Sequence, residues 1–150
     1  MKDLTIDYAL RATWQAVARM YNEEAKEFGT TMAVGFTLLS IDPKTGTPST
    51  ALGPKMGMEA TSLSRILKSM EEKGLIERKP NPKDGRGVLI YLTAFGLEKR
   101  KDSKDVVMRF NEVVEENVSE EKLRHFFEVM QTINTLILNR KIYTKAETTR

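Results

Sequence analysis

The stretch LIERKPNPKDGRGVLIYLT, Leu75 to Thr93, limits what this chain can fold into more than any other. Two short apolar runs, Leu75 to Arg78 and Val88 to Thr93, flank a segment in which Pro80 and Pro82 forbid helix. Each proline removes a backbone donor, and its ring clashes with the preceding turn. The intervening PNPKDGRG is rich in turn formers. The pattern predicts a β-hairpin whose tip holds Lys79, Lys83 and Arg86 and almost nothing that packs.

Around this hairpin the apolar residues recur at helical spacing. Ile6, Leu10, Trp14, Val17, Tyr21, Ala25 and Phe28 form one stripe of an amphipathic helix that stops at Gly29. At ~1.5 Å per residue it is about 35 Å long. Thr31 to Ile41 is apolar around most of its circumference, so a central helix is expected, closed by the turn Asp42-Pro43-Lys44-Thr45-Gly46. Two shorter helices follow, separated near Gly57. In the second, Leu63, Ile66, Leu67 and Met70 share one face. Thr61, Arg65, Lys68 and Glu72 take the opposite face, flanked by Ser62, Ser64 and Ser69, and Gly74 is the stop. Beyond the hairpin, Thr93 is a candidate N-cap for a long helix to about Asn117. Ser119 restarts the chain as a last helix carrying Leu123, Phe126, Phe127, Met130, Ile133 and Ile137 in one stripe. So wide an apolar face on a terminal helix wants a second covering surface. The tail after Tyr143 is expected to fray.

Composition removes whole classes of function. There is no Cys and one His, His125, which leaves no disulfide, no thiol switch and no Cys/His metal cluster. No nucleophile elbow, phosphate-cradling glycine loop or paired His-Glu metal motif is present, so neither catalysis nor a cofactor is expected. The N-terminus carries acids and no continuous apolar run, which argues against a signal peptide or membrane span and for a cytoplasmic protein. The net charge of +3 is modest, but its distribution is uneven. Lys73, Arg78, Lys79, Lys83 and Arg86 face only Glu77 and Asp84 in the middle of the chain, whereas residues 112–128 are acidic. An anionic partner for the hairpin region follows.

A helix pair with a tight turn, followed at once by a basic hairpin, is the layout of a winged helix-turn-helix. A helix ~10–12 Å across enters the major groove of duplex DNA, where Ser, Thr and Arg reach base edges. A hairpin beside it reaches phosphates or the minor groove. The alternative is a winged-helix interaction scaffold that does not read DNA. Ser64-Arg65, Gly74-Leu75-Ile76, Arg78, Asp84-Gly85-Arg86 and Leu92-Thr93 ahead of Gly96 resemble the signature of MarR-type transcriptional regulators, and the order of elements agrees over nearly the whole chain.

The resemblance implies a mainly α fold. A winged helix-turn-helix over residues 31–95, with a two-stranded β-hairpin wing, is flanked by helical dimerisation parts at 1–30 and 96–143, and 144–150 is a flexible tail. It implies a ligand-responsive repressor that binds a pseudo-palindromic operator as a homodimer. DNA contact maps onto Thr61, Ser62, Ser64, Arg65, Lys68, Ser69, Arg78, Lys79, Lys83, Asp84 and Arg86, with Asp84 paired to Arg65 or Arg78. An effector pocket, suited to a small aromatic or acyl carboxylate, maps onto Tyr8, Trp14 and Phe36. Dimerisation maps onto Ile6, Leu10, Phe126, Phe127, Met130, Ile133 and Ile137. Two departures bear on the reading helix: Glu59 stands where Ser or Thr would cap it, and Gly53-Pro54 should shorten or kink the helix before it.

Overall fold

The computed structural model describes residues 4–143, and the expected tail lies outside them. The chain divides into two compact units, Met1–Met108 and Arg109–Arg150. In the first, α1 (Ile6–Glu27) and α2 (Met32–Ser40) are joined by a short turn. Thr31 caps α2, its Oγ1 accepting from the Val34 N–H at 3.3 Å. The Asn22 side chain of α1 accepts from Met32 N–H at 3.1 Å, fixing the corner. Phe36 of α2 stacks on Trp14 with centroids 6.5 Å apart and meets Tyr21 edge-on at 5.7 Å. The central helix expected from its apolar composition is central, with Val34, Gly35, Thr37 and Leu38 buried.

The expected two-stranded hairpin gains a third strand. β1 (Thr47–Pro48) pairs with β3 (Val88–Leu92) on the side away from β2 (Ile76–Pro80), giving an antiparallel sheet in the order β1-β3-β2. Two residues carry no periodicity, so nothing local marks them as a strand. The turn before them does the placing: Asp42 Oδ1 accepts from Lys44 N–H at 2.7 Å and Thr45 N–H at 2.9 Å, and Thr47 Oγ1 accepts from Asp42 N–H at 2.9 Å. Gly46, at φ 71°, passes so close to β3 that a Cβ there would sit 2.8 Å from Tyr91 Cε1.

Then α3 (Ser49–Met56) and α4 (Ala60–Glu72) form the helix pair. Pro54 lies inside α3, which is only 8 residues long. The helix closes at once on left-handed Gly57, with Gly57 N–H donating to the Pro54 carbonyl at 3.3 Å and Met58 N–H to Gly53 at 2.9 Å. Helices α2, α3 and α4 and the sheet share one core of Leu38, Leu52, Leu63, Leu67, Met70 and Ile90 with their neighbours. Fully burying a side chain of this size is worth about 1.5–3 kcal/mol.

The wing joins α5 (Ala94–Asn117) through Thr93. Its hydroxyl donates to the Gly74 carbonyl at 2.5 Å and accepts from Gly96 N–H at 3.0 Å, which makes it the expected N-cap. A Cβ on Gly96 would overlap the Leu75 carbonyl, so the first turn of α5 sits directly on the corner between α4 and β2.

In the second unit, Ser119 caps α6 (Glu120–Leu138) by accepting from Lys122 N–H at 3.4 Å. No residue of α6 is buried, and Phe127 is 63% and Ile137 60% exposed, while Met130 and Ile133 are half-buried. Phe126 and Phe127 pack edge to face at 5.4 Å, and His125 is exposed. The N-terminal part of α1 is similarly bare, with Ile6 at 67% and Leu10 at 37%.

Candidate nucleic-acid interface

Helix α4 is built to show one face. Leu63, Leu67 and Met70 anchor it in the core, which turns Thr61, Ser62, Ser64, Arg65 and Lys68 outward and leaves Ser69 half-buried at the margin. Glu59 occupies the N-cap in extended geometry but makes no side-chain capping bond, so the helix starts on charge alone, an acid beside the positive end of its dipole. Arg65 and Lys68 form no ion pair among the described residues.

The wing tip is two successive turns, each held by a side chain. Asp84 N–H donates to the Asn81 carbonyl at 3.2 Å and Gly87 N–H to the Asp84 carbonyl at 3.0 Å. Asn81 Oδ1 accepts from Lys83 N–H at 3.0 Å, and Asp84 Oδ1 from Arg86 N–H at 3.1 Å. These Asx turns hold the backbone of the two cations while Lys83 and Arg86 extend into solvent.

The expected pairing of Asp84 with Arg65 or Arg78 is corrected by this geometry. Arg78 stands opposite Ile90 in the ladder, hence on the sheet face that the buried Ile90 turns to the core, beside the end of α4. Its Nε lies 3.3 Å from Glu71. Asp84 orders Arg86 instead, through the backbone. Lys79, opposite Leu89 on the other face, lies 3.8 Å from Glu77 and 4.9 Å above the Tyr91 ring. Of the cations expected to meet DNA, Arg65, Lys68, Lys83 and Arg86 have no acid paired to them among the described residues, whereas Arg78 and Lys79 already hold acids.

The residues expected to line an effector pocket separate. A cleft in the first unit is walled by Tyr21, Phe28, Phe36, Met32, Lys99 and Val106, among others. Phe36 belongs to it; Trp14 only backs Phe36 by stacking, and Tyr8 lies farther along α1 under Arg11, 5.9 Å from its ring centroid. The stripe of α1 contains Tyr21 and Phe28 as well as Trp14, but spacing does not say which turns α2 crosses. Lys99 Nζ pairs with Asp102 at 3.6 Å on the cleft wall. Burial pushes the Tyr21 phenol above its ordinary pKa. The cleft is partly open to solvent and holds only about 30 Å³, room for a water or two.

Comparison with known proteins agrees with this geometry. Residues 31–88 match the model of the MarR family. The uncharacterized HTH-type transcriptional regulator YdgJ of Bacillus subtilis is 33% identical over 88 residues, 59% of this chain and 54% of its own length, so the chain spans about half of that relative. The HTH-type transcriptional regulator SarZ of Staphylococcus epidermidis is 26% identical over 79% of both chains. The S. aureus MepR-DNA complex superposes with a TM-score of 0.81 at 19% identity, covering 89% of this chain and 98% of that one, a likeness of fold. The family match lies across the helix pair and the wing, so the part of the chain that holds this interface, residues 31–88, is similar to the MarR family.

Proposed function

We propose that this chain is a sequence-reading transcriptional regulator that binds duplex DNA as a homodimer. The observation that carries the reading is the set of four cations, Arg65 and Lys68 on α4 and Lys83 and Arg86 at the wing tip, none in an ion pair among the described residues. They lie on the two elements that a winged helix-turn-helix presents to a duplex. A helix ~10–12 Å across fits the ~12 Å major groove. Thr61, Ser62 and Arg65 then meet base edges, Arg able to grip guanine with two donors, while Lys68 and Lys83 meet phosphates. Arg86 reaches the backbone or the neighbouring minor groove. That the fold is shared with a protein solved on DNA supports the assignment.

The bare apolar faces of α1 and α6 support a two-fold dimer, which would space two reading helices by about 34–36 Å and match a pseudo-palindromic operator. Repression by occupying a promoter is the simplest output, in the cytoplasm where the duplex is, with no catalytic step. The cleft walled by Tyr21, Phe28, Phe36 and Lys99 is the proposed effector site: aromatic walls suit a ring or acyl chain, and Lys99, exchanging Asp102 for a ligand, suits a carboxylate. At about 30 Å³ it must open to admit one, because ligand sites run to roughly 300 Å³ or more.

The test is titration of the purified protein against the DNA upstream of its own gene and a scrambled duplex of equal length, at two salt concentrations, with Arg86→Ala alongside. Tighter binding to the upstream fragment, weakened by salt and by the substitution, is expected. Negligible binding to both at low salt would sink the reading and turn the search to protein partners of a winged-helix scaffold. A monomer by sedimentation at micromolar concentration would defeat the dimer.

A further inference from the structure

The ion pair between Glu71 and Arg78 joins the last turn of α4 to the first strand of the wing. It is a surface pair, with the Arg78 side chain 36% and the Glu71 side chain 46% exposed, and such pairs contribute little as staples. Its acid is also badly placed for helix stability. Glu71 and Glu72 both sit in the last turn of α4, which has no basic residue, and an acid there opposes the helix dipole. Helix stability therefore does not explain Glu71.

Its position relative to the other cations does. The four cations with no paired acid among the described residues lie on the outer face of α4 and at the wing tip, whereas Arg78 stands between those elements with its guanidinium at the surface and tied back to an acid. Sequence-independent affinity for DNA is set by how many phosphates a protein neutralises. We propose that Glu71 acts as a damper on sequence-independent binding: it holds Arg78 in an intramolecular pair and out of reach of phosphates. This rests on the DNA-binding reading above and adds to it a residue that touches no DNA. Thr61, Ser62 and Arg65 supply recognition, and Glu71 limits how strongly the same surface holds a duplex that lacks the right bases.

The experiment compares parent, Glu71→Gln, Arg78→Gln and the double variant on a scrambled duplex between roughly 50 and 200 mM salt, with the upstream fragment as reference. Each additional phosphate neutralised steepens the log-log salt slope by about 0.9 and, at ~0.15 M salt, adds about fivefold in affinity per reading head. Glu71→Gln is expected to show both changes. Arg78→Gln alone is expected to leave the slope at the parent value, and the double variant to return to it. If Glu71→Gln matches the parent, or if the double variant keeps the gain, the proposal is overturned, since the second result means only that a negative charge was removed. A lower slope in Arg78→Gln alone overturns it too, by showing Arg78 on phosphate already. A parent that binds neither duplex overturns the DNA reading and the proposal together.

Discussion

Thr93 is the joint between the reading helix, the wing and α5, and its worth can be worked from three contacts. Its hydroxyl caps α5 by accepting from Gly96 N–H at 3.0 Å and donates to the Gly74 carbonyl at 2.5 Å, while its own N–H donates to the Leu75 carbonyl at 3.1 Å. Thr93→Val keeps the shape and the backbone bond and removes both hydroxyl contacts. Loss of the cap costs about 1 kcal/mol. Loss of the bond to the Gly74 carbonyl adds up to ~1 kcal/mol, reduced by the water that reaches this half-buried corner. The sum, about 1.5–2 kcal/mol, corresponds to a fall in Tm of roughly 3–8 °C for a chain of this length. Urea denaturation followed by circular dichroism, at one protein concentration because dimerisation shifts apparent stability, measures it. Thr93→Ser should recover most of the loss, since serine supplies the same oxygen. A valine variant within ~0.5 kcal/mol of the parent, a difference typical of inert surface changes, would refute the reasoning, as would a serine variant as weak as valine.

Other consequences separate the roles of neighbouring residues. Arg65→Ala should cost about 1–3 kcal/mol on the best operator and relax preference at one base pair, read by competition with single-base operator variants. Arg86→Ala should instead weaken all sequences more evenly and lower the salt slope by about 1 per head. Met70→Ala empties a side chain with 0% exposure at the centre of the core, for a loss of about 2–5 kcal/mol in denaturant titration. The Asp42 carboxyl is held below its ordinary pKa by the N–H groups of Thr45 and Lys44. A depressed carboxylate stabilises the fold fully above its unfolded value, near pH 4, and that contribution is lost as pH falls through the lower folded value. Stability curves of parent and Asp42→Ala should therefore converge on the acid side of about pH 4; a constant gap there would show that the turn does not depend on the charge.

Much of the molecule was legible locally because the signals are local. The stripe Leu63, Ile66, Leu67, Met70 marks the buried side of α4 and, by subtraction, the outward Thr61, Arg65 and Lys68. Thr93 and Ser119 are caps that need only their own next turn. Pro80 and Pro82 bound the wing, and Pro54 with Gly57 explains why α3 is short.

What the sequence determined by itself was thus the order and kind of the elements and which faces of them are polar, since helix period, caps and turn chemistry act over a few residues. The tertiary structure decided partners across longer separations. Hairpin register placed Arg78 opposite Ile90, and so against Glu71 instead of Asp84. The crossing of α1 and α2 chose Tyr21 and Phe28 for the cleft and left Tyr8 outside. Strand β1 exists because β3 has an open edge where the Asp42 turn delivers Thr47. In each case the deciding interaction joins residues whose meeting depends on packing, for which local periodicity carries no information.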